Sequence, residues 1–254
     1  MFLLLFPSFC MASVLAFSIA GNAHNRRSLP SRPARRDRSG SSDSSSGGGG
    51  SSGVVVLVDM DGVLCDFDER AFDLIRERRA ESEKARQALP DLQDMRPADM
   101  TKFPLAANFP SRFSDAIIAL FFEEGFFASL GAVEGAVAAL NEMALHPDVD
   151  GVFICTAPIA GSKYCHQEKV EWVRSKLGDD WVRRMVICSD KSLVRGDILI
   201  DDAPKAKAKA MKPVWEHVWF KRPYNAHLGG EAAGRQPRQR HLETWADWRS
   251  VVLK

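Results

Sequence analysis

The stretch Val54-Val-Val-Leu-Val-Asp-Met-Asp-Gly-Val63 decides the fold, because five apolar residues run directly into two carboxylates and a glycine. A run that is apolar at every position predicts a strand buried on both faces, as in a parallel sheet. Ligands of such sheets bind beyond the carboxyl ends of the strands. Asp59 and Asp61 would lie at such an end, where acids can hold a cation or attack an electrophile. The alternative is that they only cap and turn the chain, with Gly62 allowing the turn.

A regular alternation of helix and strand patterns begins at residue 133. Further strands are predicted over residues 151–156, 185–188, 197–202 and 214–220, and helices over 133–145, 167–177 and 244–253. Strands that alternate with helices predict an α/β fold built on a doubly wound parallel sheet.

An insertion of about 60 residues separates the first strand from this alternation. A charged helix is predicted over 68–89, then a loop over 90–110 that is rich in proline, and a second helix over 111–122. The insertion would form a small helical cap over about 68–130. Because it directly follows the first strand, it would lie over Asp59 and Asp61 and could act as a lid.

Residues 1–53 have the composition of a targeting leader and a linker and are predicted to be disordered. One domain is predicted over 54–254. Residues 1–20 are almost entirely apolar or small, 22–40 are rich in Arg and Ser, and 39–53 form a Ser/Gly tract. A signal-like core followed by an Arg/Ser-rich, acid-poor stretch fits a two-part plastid address. A mitochondrial presequence, a secretory signal and a lasting membrane anchor are the alternatives.

Charge and cysteine content exclude some classes of function. The leader carries six arginines and two aspartates, a net charge of +4, which leaves −3 for residues 54–254 and gives no reason to expect a nucleic acid polymer as partner. The cysteines are Cys10, Cys65, Cys155, Cys165 and Cys188, and their spacing fits no zinc pattern and no redox C-x-x-C. Cys155 and Cys188 fall in apolar runs and are predicted to be buried thiols, without a disulfide framework.

Three predicted strands end in polar residues that suit phosphate chemistry, and a lysine follows a fourth. In chain order these are Asp59 and Asp61, then Thr156, then Lys191, then Asp201 and Asp202. Each has an ordinary explanation by itself, as a cap, a solvated lysine or a turn. A series of carboxylates, hydroxyl, amine and paired carboxylates, each just past a parallel strand, is a far more specific signal.

At these positions the sequence resembles the haloacid dehalogenase superfamily, whose four motifs match Asp59-Met-Asp-Gly-Val63, Thr156, Lys191 and Asp201-Asp202. Further stretches resemble the 5′(3′)-deoxyribonucleotidases, among them Val58-Asp-Met-Asp-Gly-Val-Leu-Cys-Asp-Phe67, Val152-Phe-Ile-Cys-Thr-Ala-Pro-Ile159, Glu168-Lys169 and Trp245-Ala-Asp-Trp248. The resemblance extends from about residue 54 to the end and is weakest in the cap. It implies a haloacid dehalogenase-like Rossmannoid core and Mg²⁺-dependent dephosphorylation of nucleoside monophosphates.

The resemblance also implies a role for each matching residue. Asp59 would attack phosphorus and form an aspartyl-phosphate, while Asp61 would act as general acid and then as general base. The Asp59 side chain, the Asp61 backbone carbonyl and Asp202 would bind Mg²⁺. Thr156 and Lys191 would hold the phosphoryl oxygens.

The sequence departs from the family pattern around the substrate. Ala157 stands where Ser is common, so only its backbone N–H could contact phosphate. Phe103-Pro104 and Phe121 stand where the animal enzymes have a Phe-Trp pair and a further Trp, and Phe67 matches a substrate contact. These residues predict an aromatic pocket, and the alternative is that the phenylalanines only pack the cap.

The leading hypothesis is a Mg²⁺-dependent 5′(3′)-deoxyribonucleotidase that acts on nucleoside monophosphates, with no stable membrane association. A phosphatase for another small phosphate ester and a catalytically silent nucleotide-binding protein are the alternatives. The pair Asp201 and Asp202 also stays open, although Asp201 is expected to orient neighbours rather than to bind metal. Members of the family often form dimers, so a homodimer is one expectation.

Overall fold

The computed structural model describes residues 53–93, 95–206, 209–228 and 240–253. Within these ranges six parallel strands form one sheet: β1 (Val54–Val58), β2 (Val149–Thr156), β3 (Met185–Ile187), β4 (Ile198–Asp201), β5 (Glu216–Phe220) and β6 (His241–Leu242). The α-helices of the same ranges are α1 (Phe67–Glu81), α2 (Glu83–Ala88), α3 (Ser114–Leu120), α4 (Ala136–Leu145), α5 (Cys165–Leu177), α6 (Asp179–Val182) and α7 (Trp248–Val252). The predicted α/β fold on a parallel sheet is confirmed.

The strand order β3-β2-β1-β4-β5-β6 puts β1 in the middle of the sheet. Its last three residues are fully buried, as an apolar run without alternation predicts. Val58 pairs with Ile154 of β2 and with Ile200 of β4, so these strands end at nearly the same level. The polar residues that follow them therefore meet at one edge of the sheet.

The charged helix predicted over 68–89 is two helices, so that prediction is wrong in its continuity. Ser82 lies between α1 and α2 with extended backbone angles, φ −158° and ψ 156°. Its hydroxyl accepts a hydrogen bond from the N–H of Ala85 at 3.1 Å. A serine that satisfies a free N–H in this way starts a new helix instead of continuing the old one.

Other boundaries differ where short 3₁₀ turns replace regular structure. The predicted helices 111–122 and 244–253 begin with the 3₁₀ turns Ser111–Phe113 and Trp245–Asp247 before α3 and α7. Strand β6 and the 3₁₀ turn Pro223–Asn225 were not predicted, because segments of two or three residues show no hydrophobic period.

The return of the inserted segment to the core is held by a buried carboxylate. Glu168 of α5 accepts hydrogen bonds from the N–H groups of Gly125 at 2.6 Å, Phe127 at 2.9 Å and Ala128 at 3.3 Å. A carboxylate that accepts several backbone N–H groups is a strong local anchor. The end of the insertion is therefore fixed to a core helix.

Cys65, Cys155 and Cys165 are buried free thiols, whereas Cys188 is only partly buried, contrary to its prediction. Cys10 and residues 1–52 of the predicted leader lie outside the described residues. In the described part of the chain, every helix is too short or too polar to cross a membrane.

Candidate active site

The loop after β1 is shaped by its glycine. Gly62 has φ +73°, in the left-handed region that favours glycine. A Cβ atom at this position would lie 2.8 Å from Cγ of Asp202 and would clash with its carboxylate oxygen. Glycine thus lets the loop of β1 approach the loop of β4, which brings Asp59 and Asp202 together.

Lys191 joins two of the acids in a buried ion cluster. It lies in a 3₁₀ turn after β3 and is 1% exposed, so its charge needs partners. Its Nζ lies 2.8 Å from Oδ2 of Asp59 and 2.6 Å from Oδ2 of Asp201. The other oxygen of Asp201 accepts a hydrogen bond from the N–H of Ala203 at 2.8 Å. Both oxygens of Asp201 are therefore already engaged, which fits an orienting role.

Three carboxylates have the arrangement of a cation site. One oxygen each from Asp59, Asp201 and Asp202 lies within 4.8 Å of the others. Tyr224 donates a hydrogen bond to Oδ2 of Asp202, and Oδ1 accepts none from the described residues. Oxygen ligands from carboxylates suit a hard divalent cation such as Mg²⁺. The donor set therefore fits the metal that the sequence resemblance implies.

The pKa shifts within the cluster also favour a bound cation. Burial raises the pKa of Asp59 to about 6, with Lys191 opposing and Asp201 adding to the shift. Burial and the neighbouring Asp201 and Asp59 also raise the pKa of Asp202 well above its usual range. Burial opposes the charge of Lys191, but Asp59 and Asp201 outweigh it and raise the pKa of the amine. Carboxylates crowded in this way repel one another, and a bound divalent cation would relieve the repulsion.

A second lysine, which the sequence analysis did not assign a role, connects Asp61 with Thr156. Lys169 of α5 is fully buried and donates to Oδ2 of Asp61 at 2.7 Å, Oγ1 of Thr156 at 2.8 Å and the carbonyl of Ala157 at 2.9 Å. An ammonium group has three donors and no acceptor, so all its donors are used. Since Thr156 accepts from Lys169, its own hydroxyl proton remains for another acceptor.

These groups line a cavity of about 360 Å³. This volume is in the range of roughly 300–1,000 Å³ that is typical of small-molecule sites. The core contributes Asp59, Asp61, Ala157, Lys191 and Asp202, and the inserted segment contributes apolar residues that include Met100, Phe103, Pro104, Leu105, Ile118 and Phe121. The charged end of the sheet and the inserted segment thus form two opposite kinds of wall around one cavity.

The phenylalanines around the cavity differ in whether they line it or only pack behind it. Phe67 packs against Phe121 and Phe126, with ring centroids 4.8 and 5.1 Å apart. Phe126 and Phe127 are buried and do not line the cavity, as the packing alternative proposes. Phe103 lines it and is 43% exposed, with its ring 5.5 Å from that of Tyr224. Phe67 and Phe121 both pack and line the cavity.

All sequence-predicted site residues except Thr156 line this one cavity, and Thr156 is connected to it through Lys169. The residues that the prediction missed are Lys169, Arg222, Tyr224 and Asn225. A signal for Lys169 existed, because α5 buries positions 165, 168, 169, 172 and 173, a helical stripe that contains one acidic and one basic residue. The turn at 223–225 carried no comparable signal.

Comparisons with known proteins agree with this geometry. The family model described as "5' nucleotidase, deoxy (Pyrimidine), cytosolic type C protein" matches residues 53–252. The chain is 37% identical to the human mitochondrial 5′(3′)-deoxyribonucleotidase over 78% of this chain and 81% of that protein. It is 34% identical to the human cytosolic type over 78% of this chain and 93% of that protein.

A solved structure of a haloacid dehalogenase-like hydrolase gives a weaker match. A haloacid dehalogenase-like family hydrolase from Xanthomonas campestris covers 79% of this chain and 95% of its own, with 15% identity and a TM-score of 0.46. The predicted assignment to a family of phosphoric monoester hydrolases is confirmed by the family model and the curated relatives. With a match over residues 53–252, the chain belongs to the 5′(3′)-deoxyribonucleotidase family.

Proposed function

We propose that this protein is a Mg²⁺-dependent 5′(3′)-deoxyribonucleotidase that releases phosphate from deoxynucleoside monophosphates. The observation that carries the proposal is the meeting of Asp59, Asp61 and Lys191 in one cavity that the inserted segment lines with apolar residues, Phe103 and Phe121 among them. A phosphate group needs the charged wall, and a flat base suits the aromatic one. Family membership supports the same substrate class.

In the first step, a carboxylate oxygen of Asp59 attacks phosphorus while the bond to the ester oxygen breaks. Asp61 gives its proton to the leaving sugar oxygen, so that the nucleoside departs as a neutral alcohol. The product on the protein is an aspartyl-phosphate at Asp59. In the second step, Asp61 takes a proton from water, the oxygen of that water attacks phosphorus, and Asp59 is restored as phosphate leaves.

The remaining polar residues act on charge and position. Lys191 neutralises charge on the phosphoryl oxygens, and Thr156 directs its hydroxyl proton to them because Lys169 already occupies it as an acceptor. Asp59, Asp202 and the carbonyl of Asp61 would hold Mg²⁺. When bound, the cation supplies the positive charge that lets an anionic nucleophile approach an anionic ester.

The inserted segment gives the substrate its other contacts. The rings of Phe67, Phe103 and Phe121 line the cavity and can stack on or pack around a base. Hydrolysis of a different small ester is the second candidate function, because Pro104 and Ala157 differ from the family pattern on which the substrate assignment rests.

Delivery to an organelle is part of the proposal. Curated relatives include proteins named as mitochondrial and as cytosolic. The leader of residues 1–53 favours an organelle for this chain, plastid or mitochondrion, on its composition. A fluorescent protein fused after residue 53 should accumulate in one of these organelles, and a uniform cytosolic signal would contradict the assignment.

The test of function is phosphate release by the full chain, with and without Mg²⁺. The panel comprises dUMP, dTMP, dGMP, UMP, a nucleoside 3′-monophosphate and several sugar phosphates. We expect Mg²⁺-dependent release that is fastest with deoxynucleotides. Faster release from sugar phosphates would transfer the activity to another ester, and no release from any ester would favour a silent nucleotide-binding protein.

A further inference from the structure

The 3₁₀ turn that follows β5, together with the residue before it, contacts both acid-bearing loops of the cavity. This segment consists of Arg222, Pro223, Tyr224 and Asn225, and we call it the 222–225 turn. Its backbone is closed by a hydrogen bond from the N–H of Arg222 to Oδ1 of Asn225 at 2.8 Å. Tyr224 and Asn225 are buried, so their polar atoms need partners within the protein.

Two of these residues hold Asp202 from both sides. The hydroxyl of Tyr224 donates to Oδ2 of Asp202, and Nδ2 of Asn225 donates to its backbone carbonyl at 2.8 Å. The same amide of Asn225 also donates to the carbonyl of Phe220 at 2.8 Å. The side chain and the main chain of Asp202 are thus both fixed relative to β5.

Arg222 connects the turn with the loop after β1. Its Nε donates to the carbonyl of Gly62 at 2.6 Å, and its Nη2 lies 2.9 Å from Oδ1 of Asp66. A guanidinium group that donates to two separate acceptors defines their relative position well. The 222–225 turn therefore fixes the loop of β1 as well as Asp202.

Tyr224 also reaches the opposite wall. Its ring lies 5.5 Å from the ring of Phe103, which belongs to the inserted segment. The hydroxyl and the ring of one side chain therefore face two different parts of the site. Removing the hydroxyl alone changes the contact with Asp202 and keeps the contact with Phe103.

We propose that Tyr224 is a positioning residue for the divalent cation, because its hydroxyl occupies Oδ2 of Asp202 and directs Oδ1 to the metal. A carboxylate with one oxygen held has fewer orientations to lose when it binds a cation. Groups that orient metal ligands typically contribute a factor of about 10 to 100 in metal affinity or activity. The inference rests on the proposed function only in taking Asp202 as a cation ligand.

The test is a calorimetric titration of Mg²⁺ into the full chain without nucleotide. Tyr224→Phe should bind Mg²⁺ at least about tenfold more weakly than the parent. Tyr164→Phe is the matched control, since Tyr164 is the other tyrosine of the chain and does not line the cavity. This control should keep the affinity of the parent.

Activity gives a second measurement that a loss of folded protein would not reproduce. The Mg²⁺ concentration for half-maximal turnover should rise in Tyr224→Phe, while the nucleotide KM at saturating Mg²⁺ stays within about twofold. A smaller folded fraction would lower kcat and leave both constants unchanged.

The outcomes separate this inference from the proposed function. Equal Mg²⁺ affinity in the parent and Tyr224→Phe would overturn the role of the hydroxyl and leave the proposed function intact. Absence of Mg²⁺ binding by the parent, together with turnover that does not depend on Mg²⁺, would refute the cation requirement of the proposed function itself.

Discussion

The two walls of the cavity differ in charge and in the burial of their side chains. At the carboxyl end of the sheet, Lys169 and Lys191 are almost fully buried, and each is held by two or more acceptors. On the inserted segment, Phe103 and Ile118 line the same cavity with 43% and 44% of their surface exposed. The first wall is a network that tolerates little displacement, and the second is an apolar surface that can adapt to a ligand.

We expect the charged wall to carry the chemical step and the apolar wall to select the substrate. Removing one partner of a buried ion pair lowers the free energy of unfolding by about 3–5 kcal/mol, whereas one aromatic contact contributes roughly 0.5–1.5 kcal/mol to it. In the proposed mechanism the charged wall contacts the reacting phosphoryl group and the aromatic wall contacts the base, so substitutions at the first should act mainly on kcat and those at the second mainly on KM.

Asp59→Asn should abolish turnover, with a loss of at least about 10³-fold in kcat, because an amide is a poor nucleophile toward phosphorus. The substitution preserves shape, so the circular dichroism spectrum should stay that of the parent. Initial rates with dUMP measure the effect. Turnover close to that of the parent would rule out Asp59 as the nucleophile, and the assignment of the chemical step to the charged wall would be wrong.

Lys169→Met should lower kcat about 10²-fold, within the range of general acid–base catalysis, because Asp61 and Thr156 lose their common donor. The nucleotide KM should change little. Single-turnover and steady-state rates on the same preparation separate the chemical step from binding.

Glu168, which precedes Lys169 on α5, provides the matched comparison. Glu168 anchors the return of the inserted segment through hydrogen bonds to Gly125, Phe127 and Ala128, whereas Lys169 donates to Asp61. Glu168→Gln removes part of that anchor, and it should lower the melting temperature and raise KM while kcat stays within a few-fold. If Lys169→Met and Glu168→Gln lowered kcat equally, Lys169 would have no separate role in catalysis, and the division between a catalytic and a substrate-binding wall would be wrong.

Phe103→Ala should raise the KM for nucleotides about tenfold with little change in kcat, since stacking on a base is worth roughly 1–3 kcal/mol. Phe122→Ala is the control, because Phe122 is 36% exposed and does not line the cavity. The KM for a sugar phosphate should not respond to Phe103→Ala. A similar rise for both substrates would mean that Phe103 shapes the cavity without contacting the base.

The sequence predicted the charged wall better than the aromatic one, and the reason is physical. Asp59 follows β1, Thr156 and Asp201 are the last residues of β2 and β4, and parallel strands that end at one level bring such residues together. Their neighbourhood follows from topology alone. The inserted segment lacks that regularity, so the break at Ser82 and the different exposures of Phe103 and Phe126 depend on packing that no local pattern encodes.

The residues missed at the charged wall illustrate the same limit. Lys169 could have been found, because a lysine in the buried stripe of an amphipathic helix requires buried partners. Tyr224 and Asn225 lie in a three-residue turn between β5 and β6, and their contact with Asp202 spans 22 and 23 residues of sequence. A contact of that kind depends on the tertiary structure and leaves no periodic trace.

Ala157→Ser is the smallest expected effect and tests whether the charged wall is complete. Ala157 lines the cavity directly after Thr156, and its carbonyl already accepts from Lys169. A hydroxyl there would add one donor toward a phosphoryl oxygen, worth about 0.5–1.5 kcal/mol, so inorganic phosphate should inhibit about two- to tenfold more strongly. Ala160→Ser, at an exposed position of the same loop, should leave inhibition unchanged. If Ala157→Ser instead weakened phosphate binding, the wall would have no room for a further donor, and phosphate would be held by Lys191, Thr156 and backbone N–H groups alone.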